Sequence, residues 1–357
     1  MKKVLKAILC VVLALVLIVG GYVAYVFIAY HRLDDNLPLD VVDNTSARIE
    51  AGKEYKVVSF NIGFGAYEDD FGFFMDGGDR AWAWSPERLD KNIAAIGDFL
   101  NSEDADLLLV QEIDVDATRS YHRDELTALR SMLAGKNYDN VFAENWDSPF
   151  LFYPILQPHG AAKAGVGTFA KYNITSSLRR SLPVEDSLMK IVDLDRCYSV
   201  SRLPGDNGKE LVLINLHLSA YTTDGSIATE QLRMLLLDMQ NEYDKGNWVI
   251  AGGDFNKDLL GNSEAWFGKS DIDYTWAQPI PPDTFYGTAI KIVPPFNGND
   301  PVPSCRNADG PYHYGQYVLT VDGFLVSPNV EVKYANVINT RFKYSDHNPV
   351  TMTVVLK

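Results

Sequence analysis

The most constraining feature of the chain is a set of short apolar, strand-like runs that each end in a polar cluster. The clusters are Ser59-Phe60-Asn61, Gln111-Glu112, Asn215-Leu216-His217, Gly252-Gly253-Asp254-Phe255-Asn256 and Ser345-Asp346-His347-Asn348-Pro349. A packed sheet exposes rigidly held polar groups at its strand ends, so carboxylates, amides and imidazoles gathered there point to one convergent site. The set contains metal ligands and acid/base groups but no evident serine or cysteine nucleophile.

Strand-like runs are expected over Tyr55–Ile62, Asp106–Ile113, Gly165–Lys171, Leu211–Leu218, Trp248–Ala251, Tyr317–Val326, Glu331–Ile338 and Thr351–Leu356. Between them, Leu89, Ile93, Ile96 and Leu100 recur at helical spacing after Ser85-Pro86-Glu87, which supplies an N-cap, a first-turn proline and a first-turn acid. Leu232, Leu235, Leu236, Met239 and Tyr243 form a second apolar helix face. Both read as helices covering a core. The stretch from Pro279 to Tyr317 is rich in Pro, Gly and Asn and reads as a long loop that could shape a cleft.

The N-terminus carries a different signal. Val4 to Tyr30 is almost unbroken apolar sequence, preceded by Lys2, Lys3 and Lys6 and followed by Asp34 and Asp35. It is long enough to span a bilayer, which takes about 20 residues. No convincing small-x-small cleavage site follows, so an uncleaved anchor is the favoured reading over a signal peptide. The lysines then place the N-terminus on the cytoplasmic side and the rest of the chain outside the cytoplasm. The expected organisation is an anchor over residues 1–33, a tether over 34–53 and one catalytic domain over 54–357.

A formal net charge of -15 argues against a broad basic surface that grips nucleic acid. It leaves nucleases open, because a bound divalent cation supplies positive charge locally. Of three cysteines, Cys10 falls within the apolar stretch, and Cys197 and Cys305 are either a disulfide pair or two buried thiols.

Alternation sharpens the clusters, since residues two apart on a strand share a face. Asn215 and His217 share one, and Asp254 and Asn256 follow a Gly-Gly pair that lets another group approach the backbone. Glu112 ends an apolar run, where a carboxylate is costly to bury unless paired, protonated or metal-bound. Oxygen donors from Glu112, Asp346 and the Asn61 amide suit Mg²⁺, Mn²⁺ or Ca²⁺ better than Zn²⁺. Each residue also has a plain structural role open to it: His217 as a satisfied sheet histidine, Asp254 and Asn256 as an Asx turn, Asp322-Gly323 as turn chemistry. His122, His159 and His313 have no matching context and read as surface or loop residues. Lys163, Arg196 and Arg202 lie near the motif strands, with ordinary ion pairing their expected role.

Taken in order, the motifs resemble the endonuclease/exonuclease/phosphatase (DNase I-like) superfamily. Val57-Val58-Ser59-Phe60-Asn61 resembles its first strand, Gln111-Glu112 its metal-binding glutamate motif, and Gly165 to Ile174 its central glycine-containing strand. Asn215-Leu216-His217-Leu218 is similar to its histidine strand, Gly253-Asp254-Phe255-Asn256 to its aspartate and asparagine pair, Val321 to Val326 to its aspartate-bearing strand, and Ser345 to Val350 to its terminal Asp-His motif. The resemblance implies an α/β fold: a four-layer α/β sandwich of two packed β-sheets flanked by helices, with the site at one edge. It implies a divalent-metal-dependent phosphoesterase using Mg²⁺, with Mn²⁺ or Ca²⁺ as alternatives. Asn61, Glu112 and Asp346 would hold the ion. His347 would be the general base with Asp322 as its partner, or Asp254 would activate water instead. His217 would bind a phosphoryl oxygen or protonate the leaving group, and Asn256 would orient water. Abasic-site nucleases of this superfamily carry an acid two positions after the first-strand asparagine, where this chain has Gly63, and that branch is disfavoured. The substrate class is left at nucleic acid, phospholipid head group or a smaller phosphoester. No clear aromatic membrane-insertion hairpin is legible to single out a sphingomyelinase, and a binding module that has lost catalysis is the alternative function.

Overall fold

The computed structural model describes residues 2–43, 45–184, 195–220, 226–271 and 276–357. One mixed sheet of six strands runs β14 (Val330–Val337), β15 (Val350–Leu356), β2 (Glu54–Asn61), β3 (Leu107–Ala117), β5 (Gly160–Ala170), β4 (Asp139–Leu151). A second sheet of seven runs β1 (Leu37–Pro38), β6 (Ser176–Ser181), β7 (Cys197–Pro204), β8 (Glu210–His217), β9 (Trp248–Asp254), β13 (Asp322–Val326), β10 (Lys291–Val293). A small ribbon pairs β11 (Cys305–Arg306) with β12 (Val318–Leu319). The helices are α1 (Lys2–Ala29), α2 (Pro86–Glu103), α3 (Glu125–Leu133), α4 (Ser226–Asp244) and the single turn α5 (Glu264–Phe267).

The layering follows from strand alternation. Val57, Leu107 and Leu109 of the first sheet meet Leu211, Leu213, Ile250 and Phe324 of the second in one core between the sheets. Their chain neighbours Val58, Leu108 and Val110 point outward onto Ile93, Ile96 and Leu100 of α2 and Leu129 of α3. On the far side, Val212, Ile214 and Leu216 pack on Leu232, Leu235, Leu236 and Met239 of α4. Four layers result, helix, sheet, sheet, helix. Each fully buried Leu, Ile or Val contributes roughly 1.5–3 kcal/mol.

The start of α2 is set by Ser85, whose hydroxyl accepts from Arg88 N–H at 3.2 Å. The Gly-Gly step before Asp254 is needed where the strands are closest: a Cβ on Gly253, at φ +148°, would lie 2.0 Å from the Leu216 carbonyl oxygen.

Three features differ from expectation. Of the segment 34–53, read as a tether, the described residues 34–43 and 45–53 include contacts with the domain: Leu37 and Pro38 pair with β6, and Ile49 is fully buried in the inter-sheet core. The β4–β5 hairpin ends in an apolar, aromatic tip, with Phe152, Tyr153, Ile155 and Leu156 exposed. His159 is buried, packed on Trp146 with ring centres 4.9 Å apart. Cys197 and Cys305 are free buried thiols. α1 is long and apolar enough to cross a membrane.

Candidate active site

The alternation that builds the inter-sheet core also aims the polar residues. On β2 the inward positions Val57 and Ser59 lead to Asn61, on β8 Leu211 and Leu213 lead to Asn215 and His217, and on β9 Trp248 and Ile250 lead to Asp254. On β13, Asp322 precedes inward-facing Phe324 and Val326. The register places His217 opposite Asp254 and Asp254 opposite Asp322, one row across three adjacent strands. Deeper in the slit, Gln111 Nε2 donates to Asn215 Oδ1 at 2.7 Å, and Asn215 Nδ2 donates to the carbonyls of Val110 and Gly167. Those two amides tie the sheets together beneath the site.

Glu112 reaches the site by breaking the strand. The β3–β5 register shifts between Val110 and Ile113, and Glu112 adopts φ +55° within that bulge. Such a conformation is rare for a residue other than glycine and is concentrated at functional sites.

Asn61 is the hub. Its Nδ2 donates to Glu112 Oε1 at 3.1 Å and Asp254 Oδ2 at 3.0 Å, and lies 3.4 Å from His347 Nε2. Its Oδ1 accepts from Gly63 N–H at 3.0 Å. The amide oxygen expected as a metal donor is therefore engaged by the backbone, and the side chain meets the carboxylates as a donor.

His347 Nδ1 lies 2.8 Å from Asp322 Oδ2, which also accepts from Ser304 Oγ at 2.7 Å. His347 Nε2 faces Asp254 Oδ2 at 3.7 Å and Cys305 Sγ at 3.5 Å. Cys305 arrives through an isolated bridge between its backbone and that of His347, reinforced by Arg306 N–H donating to Asp346 O at 2.9 Å. Ser345 Oγ donates to Asn61 O at 2.8 Å and fastens the terminal motif to β2. Asn256, at φ +49°, donates its backbone N–H to Asp254 Oδ1 and its Nδ2 to Leu218 O, both at 2.8 Å. Its amide nitrogen is thus spent on fixing the loop.

The electrostatics are those of crowded buried carboxylates. Burial, with Asp322 nearby, pushes the Asp254 carboxyl up to about 7, against the opposing pull of His347. Burial, with Glu112 nearby, does the same to Asp346, also to about 7. Burial works against a charge on His347, but Asp322, Cys305, Asp346 and Asp254 together raise its proton affinity well above the ordinary value. Burial, then the charges of Arg196, His347 and Arg119, hold His217 well below its usual range, and its Nδ1 has no hydrogen-bond partner.

Four carboxylates thus share one pocket with a single imidazolium. Two trios, Cys305, Asp346 and His347 and then Asp254, Asp322 and His347, bring ligand atoms within 4.8 Å of one another. Carboxylate oxygens whose anionic form is this poorly compensated fit a hard divalent cation. Lys163 pairs with Asp147 and Arg202 with Glu210 and Glu242, as ordinary ion pairs. Ser304 and Cys305 lie in the aperiodic Pro/Gly-rich stretch; the sequence marks Cys305 only as a disulfide partner or buried thiol, and neither residue as part of the site.

A model of the endonuclease/exonuclease/phosphatase family matches residues 58–347, more than half of the chain. No curated protein matches it. Among solved structures, a Beutenbergia cavernae endonuclease/exonuclease/phosphatase protein aligns at TM-score 0.57 and 17% identity, over 85% of this chain and 72% of that one. ANGEL2, a 2',3'-cyclic phosphatase in complex with adenosine-2',3'-vanadate, aligns at TM-score 0.57 and 16% identity, over 90% and 99% of the two chains. The human Nocturnin catalytic domain with bound sulfate gives TM-score 0.54 and 16% identity over 89% and 97%.

Proposed function

Because the chain belongs to the endonuclease/exonuclease/phosphatase family of phosphoester-hydrolysing enzymes, we propose that it is a divalent-metal-dependent phosphodiesterase working at the slit between the two sheets. The observation that carries this reading is the row His217–Asp254–Asp322, with His347 closing over it from the terminal motif.

Glu112 and Asp346 are the carboxylates assigned to the ion, Mg²⁺ first and Mn²⁺ or Ca²⁺ as alternatives. When bound it would neutralise charge developing on the phosphoryl oxygens and the leaving oxygen. Asn61 holds Glu112 and Asp254 apart at fixed distances. Asp254, with its carboxyl near 7, is matched to accept a proton from water at neutral pH. His347, kept as a cation by Asp322, donates to a phosphoryl oxygen. His217 Nε2, 3.5 Å from Asp254 Oδ2, takes over the proton that Asp254 has accepted from water and releases it to the leaving oxygen, returning to the neutral form that burial favours.

We read α1 as a single-pass anchor with Lys2, Lys3 and Lys6 on the cytoplasmic side and the domain outside the cytoplasm. Candidate substrates are nucleic acids, cyclic or small phosphoesters and phospholipid head groups. Hydrolysis of bis-(p-nitrophenyl) phosphate with Mg²⁺, followed by DNA, RNA, 2',3'-cyclic nucleotides, sphingomyelin and inositol phosphates, tests the reading. No turnover on any of these with Mg²⁺, Mn²⁺ or Ca²⁺ would leave a binding module on the same fold.

A further inference from the structure

Among the described residues outside α1, the β4–β5 tip gathers four exposed apolar side chains. Phe152 is 54% exposed, Tyr153 68%, Ile155 71% and Leu156 99%, four within five residues. A soluble surface tolerates scattered apolar residues, whereas a contiguous apolar tip marks an interaction site.

The tip is neither loose nor isolated. From below, Trp82 Nε1 donates to Pro158 O at 2.6 Å, and Ala81 N–H donates to Gln157 Oε1 at 2.7 Å. Phe74 stacks edge-on with Tyr153 at 5.9 Å. From the side, Tyr22 Oη donates to Phe150 O at 3.2 Å and accepts from Phe152 N–H at 2.8 Å, and Phe150 N–H donates to Tyr25 Oη at 3.2 Å. The rings of Tyr22 and Phe152 meet edge-on at 6.3 Å. The hairpin is therefore docked on α1 itself.

That contact fixes its height. At about 1.5 Å per residue, Tyr22 and Tyr25 lie about 24 and 29 Å along the helix from Lys6, close to the ~30 Å of a hydrocarbon core. With lysines at one end and tyrosines at the other, the two tyrosines fall at the outer interface, where such rings concentrate. Anything bonded to them is at head-group depth.

The tip also belongs to the active-site end of the sandwich. β5 runs antiparallel to β3, with Ala164 opposite Asp114 and Ala162 opposite Ala117, so the hairpin extends the sheet beyond Glu112.

We propose that the β4–β5 tip, Phe152 to Leu156, is a lipid-facing surface that enters the outer interface of the bilayer beside α1 and holds the active-site end of the domain against the membrane. This rests on reading α1 as the anchor. It favours, among the substrate classes above, phosphoesters carried in the head-group layer.

The test uses the full chain in phosphatidylcholine/phosphatidylglycerol vesicles. An NBD probe is attached at Leu156→Cys or at Asn207→Cys, each in a Cys10→Ser background, since Cys197 and Cys305 are buried. Asn207 lies in the exposed β7–β8 turn, at the opposite end of β8 from His217. The same probe on native Cys10 reports α1 independently. The expected result is blue-shifted emission at 156 and severalfold stronger quenching there by shallow doxyl-lipids than at 207. Quenching at Cys10 but not at 156 overturns the proposal and leaves the anchor standing. Quenching at neither position overturns both. A blue shift at 156 without lipid quenching means protein covers the tip, a second copy or another chain, and also overturns it.

Discussion

Asp322 holds His347 from behind: its Oδ2 lies 2.8 Å from His347 Nδ1, while its backbone stands opposite Asp254 in the β9–β13 register. One residue thus connects the terminal motif to the row of strand-end groups. Replacing it by Asn keeps the shape but removes the charge that favours the imidazolium. Asp322→Asn is expected to lower kcat about 10²-fold or more with little change in KM. His347→Ala should cost a similar factor, and the double variant no more than the worse single one. Additive losses would show that the two residues act separately.

Glu112 sits in a strained bulge with its carboxylate on the Asn61 amide, an arrangement with no evident packing benefit. If it serves an ion, the ion should stabilise the fold, by about 2.7 kcal/mol at a hundredfold excess over Kd. Wild-type protein stripped with EDTA should melt at lower temperature and recover with Mg²⁺. Glu112→Gln should lose most of that recovery while melting near the stripped wild type. An unchanged Mg²⁺ response in Glu112→Gln would remove Glu112 from the ion site.

Gly63 stands where related abasic-site nucleases place an acid, and its surroundings oppose that residue. It has φ +53°, its N–H holds Asn61 Oδ1, and an added Cβ would lie 2.6 Å from Tyr67 Cδ2. Gly63→Asp is expected to destabilise by about 1–3 kcal/mol and to yield no abasic-site cleavage. Denaturant melts and a nicking assay on abasic duplex DNA read both outcomes.

The legibility of the site tracked strand alternation. Alternation paired Asn215 with His217 in the sequence, whereas Asn61 and Asp254 stood out only as polar groups at strand ends; the structure adds that all fall on the same parity as the inward aliphatics before them. Glu112 was found by the cost of burying it, but the bulge that turns it into the site leaves no trace in local composition. Cys305 and Ser304 were missed because they come from a stretch with no period, positioned by a long-range bridge to His347. The exposed β4–β5 tip has no sequence signal for a related reason: Phe150 to Leu156 alternates with neither period, and its docking on Tyr22 and Tyr25 is a long-range contact. Ile49 shows the same limit, since one buried residue in a polar segment is enough to hold it to the core.

His159 gives a pH dependence outside the site. Its ring is buried against Trp146 at 4.9 Å and Phe73 at 6.2 Å, and its Nδ1 has no hydrogen-bond partner. Burial, helped by the charge of Arg119, lowers its pKa from 6.5 to about 3. The unfolded chain, with a pKa near the ordinary value, takes up this proton first as pH falls. Stability from a neutral His159 is therefore complete above about pH 6.5 and is lost progressively down to about pH 3, at roughly 1.4 kcal/mol per unit. Between pH 7 and pH 5 the loss comes to about 2 kcal/mol. His159→Phe keeps the ring contacts and removes both the proton and the unpaired nitrogen. Urea melts should show the variant at least as stable as wild type at pH 7, and losing about 2 kcal/mol less on going to pH 5. Parallel losses in the two proteins would mean that His159 does not carry this part of the acid sensitivity.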